Sequence, residues 1–350
     1  MTPTMSNIAT LDDVRYQEHI LQGVSRTFAL TIPQLPPALR EVVGNAYLLC
    51  RIVDTVEDDS ALTLEQTREL AEMFIEVVSG TVEAETFARA LYPLLSEHTI
   101  PAEHDLIKHT PSVIRMTHSF NPVQRQALER CIRIMGQGMA AYQESESLSG
   151  LENLAEMDRY CYHVAGVVGE MLTELFCDYS PEINQHKPTL MQLSVSFGQG
   201  LQMTNILKDI WEDRKRGACW LPRDIFLQEG FDLNDLQPGC SERGFHAGLG
   251  TLIGIAKTHL QNALAYTCLI PSHEAGVRRF CLWAIGMAVL TLNKINHKRD
   301  FITGREVKIS RRSVRATVLI TSLLASQDWA LKKIFAISSR NLPEVQIVRS

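Results

Sequence analysis

Two acidic segments of the same pattern place the strongest restriction on how this chain can fold. Asp54–Asp58 reads D-T-V-E-D, and Asp209–Asp213 reads D-I-W-E-D. Each follows a largely apolar run, Tyr47–Val53 in the first case and Leu201–Lys208 in the second. Both patterns therefore belong to helices whose other faces are expected to be buried. Because positions i, i+3 and i+4 share one face of a helix, the acidic residues of each segment should project together.

Carboxylates clustered in this way favour a metal site. Two such groups facing each other repel strongly unless cations lie between them. Mg²⁺ prefers oxygen ligands and completes its shell with water and substrate phosphates. A solvated acidic face is the simpler interpretation of either segment alone, but the apolar flanks favour buried carboxylates that need partners. We therefore predict a magnesium site for a diphosphate, with ligands from Asp54, Glu57, Asp58, Asp209, Glu212 and Asp213.

Helical periodicity dominates the rest of the chain, and runs of β-branched residues between tight turns are scarce. We predict an all-α protein with a single domain over residues 1–350 and a helical core over about 20–338. Thr63 and Gln66 have the spacing of a capping box, and Ser310 is a candidate N-cap. The predicted helices are Leu64–Ser79, Pro122–Gln143, Ser149–Phe176, Leu190–Asp213, Phe245–Leu269, Val277–Asn296 and Ser310–Ser338.

Composition excludes several classes of function. The formal net charge is −6, which gives no indication of nucleic-acid binding. The eight cysteines form no C-x-x-C pair, so neither a zinc site nor a redox dithiol is predicted. Met1–Asp13 lacks an apolar signal core, and the most apolar late segment, Ala316–Ala325, is far short of the ~20 residues that span a bilayer. We expect a cytoplasmic protein, with peripheral contact to the inner membrane left open.

The glycine patterns do not predict a nucleotide-binding loop. No G-x-x-x-x-G-K-[ST] motif is present, and Gly198-Gln199-Gly200 lies within a helical pattern with no strand before it. Gly166 and Gly169 are expected to allow close helix packing. The alternative for these two glycines is a helix bend that lines a cavity.

Several short motifs, taken in order, resemble the squalene/phytoene synthase family of head-to-head prenyl transferases over roughly Ser25–Arg312. The resemblance implies an all-α isoprenoid synthase fold, a helical bundle around one deep central cavity. Its motifs are Ser25-Arg26-Thr27-Phe28, Tyr47 with Arg51 ahead of the first acidic segment, Tyr160-Cys161-Tyr162-His163-Val164-Ala165-Gly166, Gln202-Met203-Thr204-Asn205-Ile206 ahead of the second, and Trp220-Leu221-Pro222.

Two segments are more similar to squalene synthases than to phytoene synthases. Tyr160–Gly169 reads Y-C-x-x-V-A-G-x-V-G, and Val307–Arg311 resembles a late segment that handles the nicotinamide cofactor in squalene synthases. Ala284 stands where many relatives carry proline, which puts the local shape of the cavity in question. The membrane anchor of eukaryotic squalene synthases is absent from the sequence, which suggests a soluble, bacterial-type enzyme.

The reaction that the resemblance implies joins two molecules of farnesyl diphosphate head to head with Mg²⁺. It forms presqualene diphosphate, which NADPH then reduces to squalene. The resemblance assigns catalytic roles to Tyr160, Arg51 and Phe28. Substrate binding would involve Ser25, Arg26, Tyr47, Lys208, Gln202 and Phe280, and cofactor binding would involve Asn205, Lys308 and Arg311. Contact with a membrane for product release stays open, and no nucleic-acid partner is expected.

Other interpretations remain at this stage. A dehydrosqualene, hydroxysqualene or phytoene synthase would share the first half of the reaction and differ in how the second cation is quenched. A family member without activity could serve as an assembly subunit, although both acidic segments are intact. A helical lipid-binding protein would use an apolar cavity alone and would leave the carboxylates unexplained.

Overall fold

Regular structure is helical throughout the part of the chain that the structure describes. The structure is a computed structural model that describes residues 9–25, 27–143 and 147–345, without the side chains of Ala140 and Gln143. Within these residues there is no β-strand, and a single isolated bridge joins Leu151 to Pro222. The all-α prediction is therefore confirmed. The predicted substrate ligand Arg26 lies outside the described residues.

The described residues form two compact units, and the first comprises 9–143, without residue 26, and 171–185. Helix α3 is its central element and packs against α1, α4, α6, α7 and α8. The Thr63–Gln66 capping box that starts α4 is confirmed. The helices are α1 (Leu11–Val24), α2 (Phe28–Thr31), α3 (Pro37–Asp58), α4 (Leu64–Ser79), α5 (Ala84–Leu91), α6 (Pro101–Lys108), α7 (Thr110–Ser119) and α8 (Pro122–Gln143).

The second unit comprises 147–170 and 186–345. Its central element is α12, which packs most extensively on α14. Residues 167–170 of α10 belong to this unit, whereas the rest of α10 and α11 belong to the first. The helices after α8, including α10 and α11 that lie wholly or partly in the first unit, are α9 (Leu154–Cys161), α10 (Val167–Tyr179), α11 (Pro181–Asn184), α12 (Lys187–Lys215), α13 (Arg223–Gln228), α14 (Arg243–Leu269), α15 (Ala275–His297), α16 (Arg311–Leu324) and α17 (Asp328–Ser338). The prediction of one domain over the whole chain stays a prediction.

A π-helical turn, Tyr162–Gly166, separates α9 from α10 in a segment that the sequence predicts as one continuous helix. This segment lies against α12 at van der Waals distance between backbones. A Cβ added to Gly169 would lie 2.2 Å from the Ser194 carbonyl oxygen, and one added to Gly198 would lie 2.1 Å from that of Ala165. Only glycine permits such an approach. The predicted packing role of Gly169 is confirmed.

The single helix predicted over Ser310–Ser338 is wrong, because the chain turns between α16 and α17. Ser310 does cap α16, since its hydroxyl accepts a hydrogen bond from the Ser313 N–H at 3.1 Å. The turn is held by Arg278 of α15, which is 2% exposed. Its guanidinium donates to the carbonyl oxygen of Ala325 and to Asp328, each at 2.8 Å. A buried guanidinium without these partners would be costly, so Arg278 favours the turn over a straight helix.

Helix α15 is long and apolar enough to cross a membrane by length and composition. This corrects the expectation that Ala316–Ala325 is the most apolar late segment. However, 61% of the most apolar 18-residue window of α15 is buried inside the protein. Buried core helices meet the same criterion, so the helix is weak evidence for a membrane span.

Candidate active site

The first acidic segment occupies the last turns of α3 in the first unit. Ile52 and Val53 are buried in the core of this unit, whereas Asp54 and Glu57 are partly exposed and Asp58 is exposed. The arrangement follows from helical spacing, since the apolar residues fix one face of α3 and leave the carboxylates on the other. The carboxylates therefore emerge at the edge of a rigid, well-packed helix.

Arg51 connects this segment to its surroundings. Its Nη1 atom lies 3.8 Å from Asp54 Oδ2 and 3.6 Å from Glu103 Oε1, and its Nη2 donates to the Tyr47 hydroxyl at 3.2 Å. Burial alone would lower the pKa of Arg51, but Asp54, Tyr47 and Glu103 together raise it. Its buried Nε has no hydrogen-bond partner among the described residues. Arg51 is thus a cation held in place by Asp54, Glu103 and Tyr47.

Three carboxyl groups, those of Asp54, Asp58 and Glu103, lie near the single guanidinium of Arg51. Burial raises the pKa of Asp54 to about 7, with further upward contributions from Asp58 and Glu103 and an opposing one from Arg51. Burial, Asp58 and Asp59 likewise raise the pKa of Glu103, against Arg51. Such crowding of oxygen ligands fits a divalent cation. Glu103, in the first turn of α6, was missed because nothing in its local sequence links it to the acidic segment.

Ser25 and Phe28, from the first motif of the family resemblance, lie beside α3. The Tyr47 hydroxyl donates to the Val24 carbonyl oxygen at 3.0 Å, and the Phe28 and Tyr47 rings lie 5.0 Å apart between centroids. Ser25 Oγ accepts a hydrogen bond from the Phe28 N–H at 2.9 Å. The first unit thus brings Ser25, Phe28, Tyr47, Arg51 and the first acidic segment into one continuous cluster.

The second acidic segment lies near the end of α12 in the second unit. Lys208 Nζ lies 2.9 Å from Asp209 Oδ2, so Lys208 pairs with its neighbour in sequence. Asp213 is buried and pairs with Arg216 at 2.7 Å. Burial raises the pKa of Asp209, and Glu212 adds to the rise while Lys208 and Arg216 oppose it. In this unit, too, carboxylates are held close together in partly buried positions.

Gly304 is in close contact with the second acidic segment. Its N–H donates to Glu212 Oε1 at 3.2 Å, whereas Glu212 Oε2 is buried and has no hydrogen-bond partner among the described residues. A Cβ on Gly304 would lie 3.0 Å from the Lys208 carbonyl oxygen and 3.2 Å from Asp209 Oδ1. The orphaned oxygen beside a second carboxylate fits a cation ligand. Gly304 was missed in the sequence because isolated glycines are common in loops.

The loop that carries Gly304 is anchored on the same turn of α12. Trp211 Nε1 donates to the Phe301 carbonyl oxygen at 2.6 Å, and the side chains of Phe301 and Val307 are fully buried. Lys308, which follows, is exposed, as is Arg311 at the start of α16. The residues predicted to handle the cofactor therefore follow directly after a loop that is anchored to the second acidic segment.

Tyr160 packs in a different part of the second unit. Its ring stacks on that of Trp220 with centroids 4.1 Å apart and planes within 6°. The residues after Trp220 pair with the backbone of Leu151. The Leu151 carbonyl oxygen accepts a hydrogen bond from the Arg223 N–H at 2.8 Å, and the Leu151 N–H donates to the Leu221 carbonyl oxygen at 2.9 Å. Two motifs of the resemblance, around Tyr160 and Trp220, therefore meet. Tyr160 is 5% exposed.

The remaining predicted residues divide between surface and interior. Gln202 is partly buried and Asn205 is exposed on α12, and Phe280 is buried on α15. Over the described ranges, no group of three His, Cys, Asp or Glu side chains is arranged to hold a metal ion. The metal assignments of the six acidic residues remain a proposal.

Comparison with known proteins extends over most of the chain. The family model described as squalene/phytoene synthase matches residues 21–313. The squalene synthase of Eremothecium gossypii is 31% identical over 279 residues, which are 78% of this chain and 60% of that protein. The squalene synthase of Saccharomyces cerevisiae is 30% identical over 295 residues, 83% of this chain and 63% of the relative. This chain therefore spans less than two thirds of the length of either relative.

Solved structures show the same fold. TcSQS in complex with the ligand BPH1237 has a TM-score of 0.73 at 23% identity and covers 95% of this chain and 98% of its own. A dehydrosqualene synthase with a ligand has a TM-score of 0.65 at 19% identity, covering 88% and 94%. The fold, the ordered motifs and the family match agree, and the chain belongs to the squalene/phytoene synthase family.

Proposed function

We propose that this protein is a squalene synthase, a farnesyltransferase that joins two molecules of farnesyl diphosphate and reduces the product to squalene. The observation that carries the proposal is its 31% and 30% identity to two squalene synthases over most of the chain. Both acidic segments are intact, which argues against an inactive subunit. The crowded carboxylates also argue against a simple apolar lipid carrier.

In this proposal Arg51 binds the diphosphate of the substrate. Its charge is sustained by Asp54, Tyr47 and Glu103, and its side chain is 27% exposed. Charge-assisted hydrogen bonds from a guanidinium to phosphate are among the strongest polar contacts in proteins. Ser25 and Arg26 precede the same cluster in sequence, and Lys208 supplies a cation beside the second acidic segment.

The acidic residues serve as magnesium ligands. Asp54, Asp58, Asp209 and Asp213 are the main ligands that we propose, and Glu57 and Glu212 support them. Bound Mg²⁺ would act as a Lewis acid and neutralise the departing diphosphate. Burial is the largest cause of the raised pKa of Asp54 and of Asp209, and a bound cation would favour the ionised form of each carboxylate.

Aromatic side chains would protect the carbocation that remains after the diphosphate leaves. Apolar walls exclude water, and aromatic faces attract cations. Phe28 and Tyr47 form one tilted pair, and Phe280 contributes from α15. For Tyr160 we propose help in removing the proton lost on cyclopropane closure, with a diphosphate oxygen as the final acceptor. Gln202 is proposed to contact substrate from α12.

The reductive half of the reaction requires NADPH, whose chemistry is the transfer of a hydride. Lys308 is an exposed cation just before α16, Arg311 is an exposed cation at its first position, and Asn205 is an exposed amide on α12. We propose that the two cations bind phosphate groups of the cofactor. The anchoring of their loop through Phe301 would hold them in register with the second acidic segment.

A product assay tests the proposed function. Purified protein is given farnesyl diphosphate and Mg²⁺, with and without NADPH, and the products are separated by chromatography. Squalene that forms only with NADPH, and presqualene diphosphate without it, is the expected result. The same unreduced C30 hydrocarbon or alcohol under both conditions would assign the protein to the non-reductive members of the family. The cytoplasmic location with peripheral membrane contact belongs to the same proposal.

A further inference from the structure

The exposed apolar residues of this protein are concentrated on its last two helices. Of the fifteen large hydrophobic side chains that are exposed in the described residues, five lie between positions 319 and 337. Leu319 is 61% exposed, Leu323 70% and Trp329 69%, and Ile320 and Ile337 are exposed as well. Single exposed apolar residues are normal on any surface, but a concentration of this kind marks a place of interaction.

These side chains face outward from helices that are firmly packed. On α16, Leu319 and Leu323 share one side of the helix, while Thr321 is buried on the other. A Cβ on Gly286 of α15 would lie 2.4 Å from Thr317 Cγ2, so α16 lies closely on α15. On α17, Ala330, Leu331 and Phe335 are buried in the core. The exposed residues are therefore carried by two helices that the fold holds in place.

The segment that carries these residues is basic, although the chain as a whole is acidic. Residues 310–343 contain six Lys and Arg and a single acidic residue, so their formal charge is +5, against −6 for the entire chain. The one carboxylate, Asp328, is paired with buried Arg278. All six cations are exposed: Arg311, Arg312, Arg315, Lys332, Lys333 and Arg340. Residues 310–343 contain no other acidic residue, and Glu344, which follows directly, pairs with Lys257.

We propose that the α16–α17 face, defined by Leu319, Leu323, Trp329, Lys332 and Lys333, docks on an anionic lipid bilayer. Leucine and tryptophan beside lysine and arginine are typical of helices that lie in the membrane interface. Tryptophan prefers that depth because one end of its ring system is apolar and the other carries an N–H donor. Protein interfaces, in contrast, are depleted in lysine. The composition therefore favours lipid over a protein partner.

The docking deepens the proposed function, and its biological purpose rests on it, because a C30 hydrocarbon product would be released next to the phase that dissolves it. The physical basis is independent of catalysis. Lysine and arginine near an anionic surface strengthen binding about fivefold each, an effect that salt screens. Burial of Leu319, Leu323 and Trp329 in the interface would add a contribution that salt does not remove.

Vesicle flotation tests the proposal with the whole protein and no substrate. Vesicles of phosphatidylcholine alone are compared with vesicles containing 30% phosphatidylglycerol at low and at 0.15 M salt. We expect binding to the anionic vesicles, with a blue shift of tryptophan fluorescence that Trp329→Ser removes. Lys332→Gln with Lys333→Gln should weaken binding about 25-fold, and Leu319→Ser with Leu323→Ser should abolish it. Leu227→Ser, which alters an exposed leucine on α13, should bind as the unchanged protein does.

Two further measurements separate the outcomes. Circular dichroism establishes that each variant is folded, and sedimentation establishes its oligomeric state. Failure to bind anionic vesicles, or equal binding by every folded variant, would overturn the proposal. A dimer that dissociates in the leucine variant would identify the face as a contact between two copies and would also overturn it. Activity on detergent-dispersed farnesyl diphosphate is assayed separately, so that failure of docking and failure of the proposed enzyme are distinguished.

Discussion

Replacement of Gly304 by alanine tests whether the loop before α16 controls the second acidic segment. The added Cβ would lie 3.0 Å from the Lys208 carbonyl oxygen, 3.2 Å from Asp209 Oδ1 and 3.3 Å from Glu212 Oε2. Ordinary contacts to a methyl group are at 3.4 Å or more, so the carboxylates or the loop must move by a few tenths of an ångström. Overpacking of this degree costs about 1–3 kcal/mol, which leaves the helical core folded.

The larger effect should fall on metal binding. Alanine keeps the N–H that donates to Glu212, but the shift that its methyl group requires would misalign this hydrogen bond. Disturbing the groups that orient metal ligands lowers metal affinity about 10–100-fold. Titration of Mn²⁺ in the presence of inorganic diphosphate, followed by electron paramagnetic resonance, measures this directly. Gly136→Ala is the matched control, because a Cβ on Gly136 meets Ile75 Cδ1 at an ordinary 3.4 Å. Unchanged metal affinity in folded Gly304→Ala would refute the reasoning.

Further predictions address the acidic segments, the cofactor segment and a buried carboxyl group. Asp54→Asn or Asp209→Asn should lower turnover about 100-fold or more while circular dichroism stays unchanged; near-normal turnover in either would disprove the metal model. Lys308→Ala with Arg311→Ala should raise the KM for NADPH about tenfold and slow squalene formation more than presqualene diphosphate formation; equal loss in both steps would remove these residues from the cofactor site. Burial raises the pKa of Asp158 from 3.8 to about 6, so its stabilising contribution is lost as pH rises through that range. Asp158→Asn should therefore be more stable than the unchanged protein by about 1–3 kcal/mol at pH 8 and equally stable below pH 4; an equal difference at both pH values in urea unfolding would contradict this.

The sequence predicted the elements whose ends are set by local chemistry. Helix α4 begins at the Thr63 capping box and α8 at Pro122, and both have the predicted bounds. The turn between α16 and α17 contains neither glycine nor proline, and it depends on Arg278, which lies more than forty residues earlier. No local pattern could predict it. The π-helical turn at Tyr162–Gly166 was missed for a related reason, since it packs against α12, which is distant in sequence.

The candidate site was predictable to the extent that its residues lie on one helical face. Asp54 and Arg51 are three residues apart on α3, and the structure places them in contact. Glu103 and Gly304 contact the acidic segments from distant parts of the chain. A carboxylate in a short helix and a glycine in a loop have many roles, and only the fold reveals these ones. Short helices such as α5 and α6 were missed because each is too brief to show a clear period.

The guanidinium of Arg278 has a consequence for any shortened version of this chain. Removal of everything after α16 would delete Asp328, its only carboxylate partner among the described residues. A positive charge would then remain in the core with carbonyl groups alone, at a cost of about 3–5 kcal/mol. Helix α17 therefore contributes to the stability of the second unit, although most of its length lies at the surface. Cleavage that releases Asp328 should destabilise the packing around Arg278 of α15.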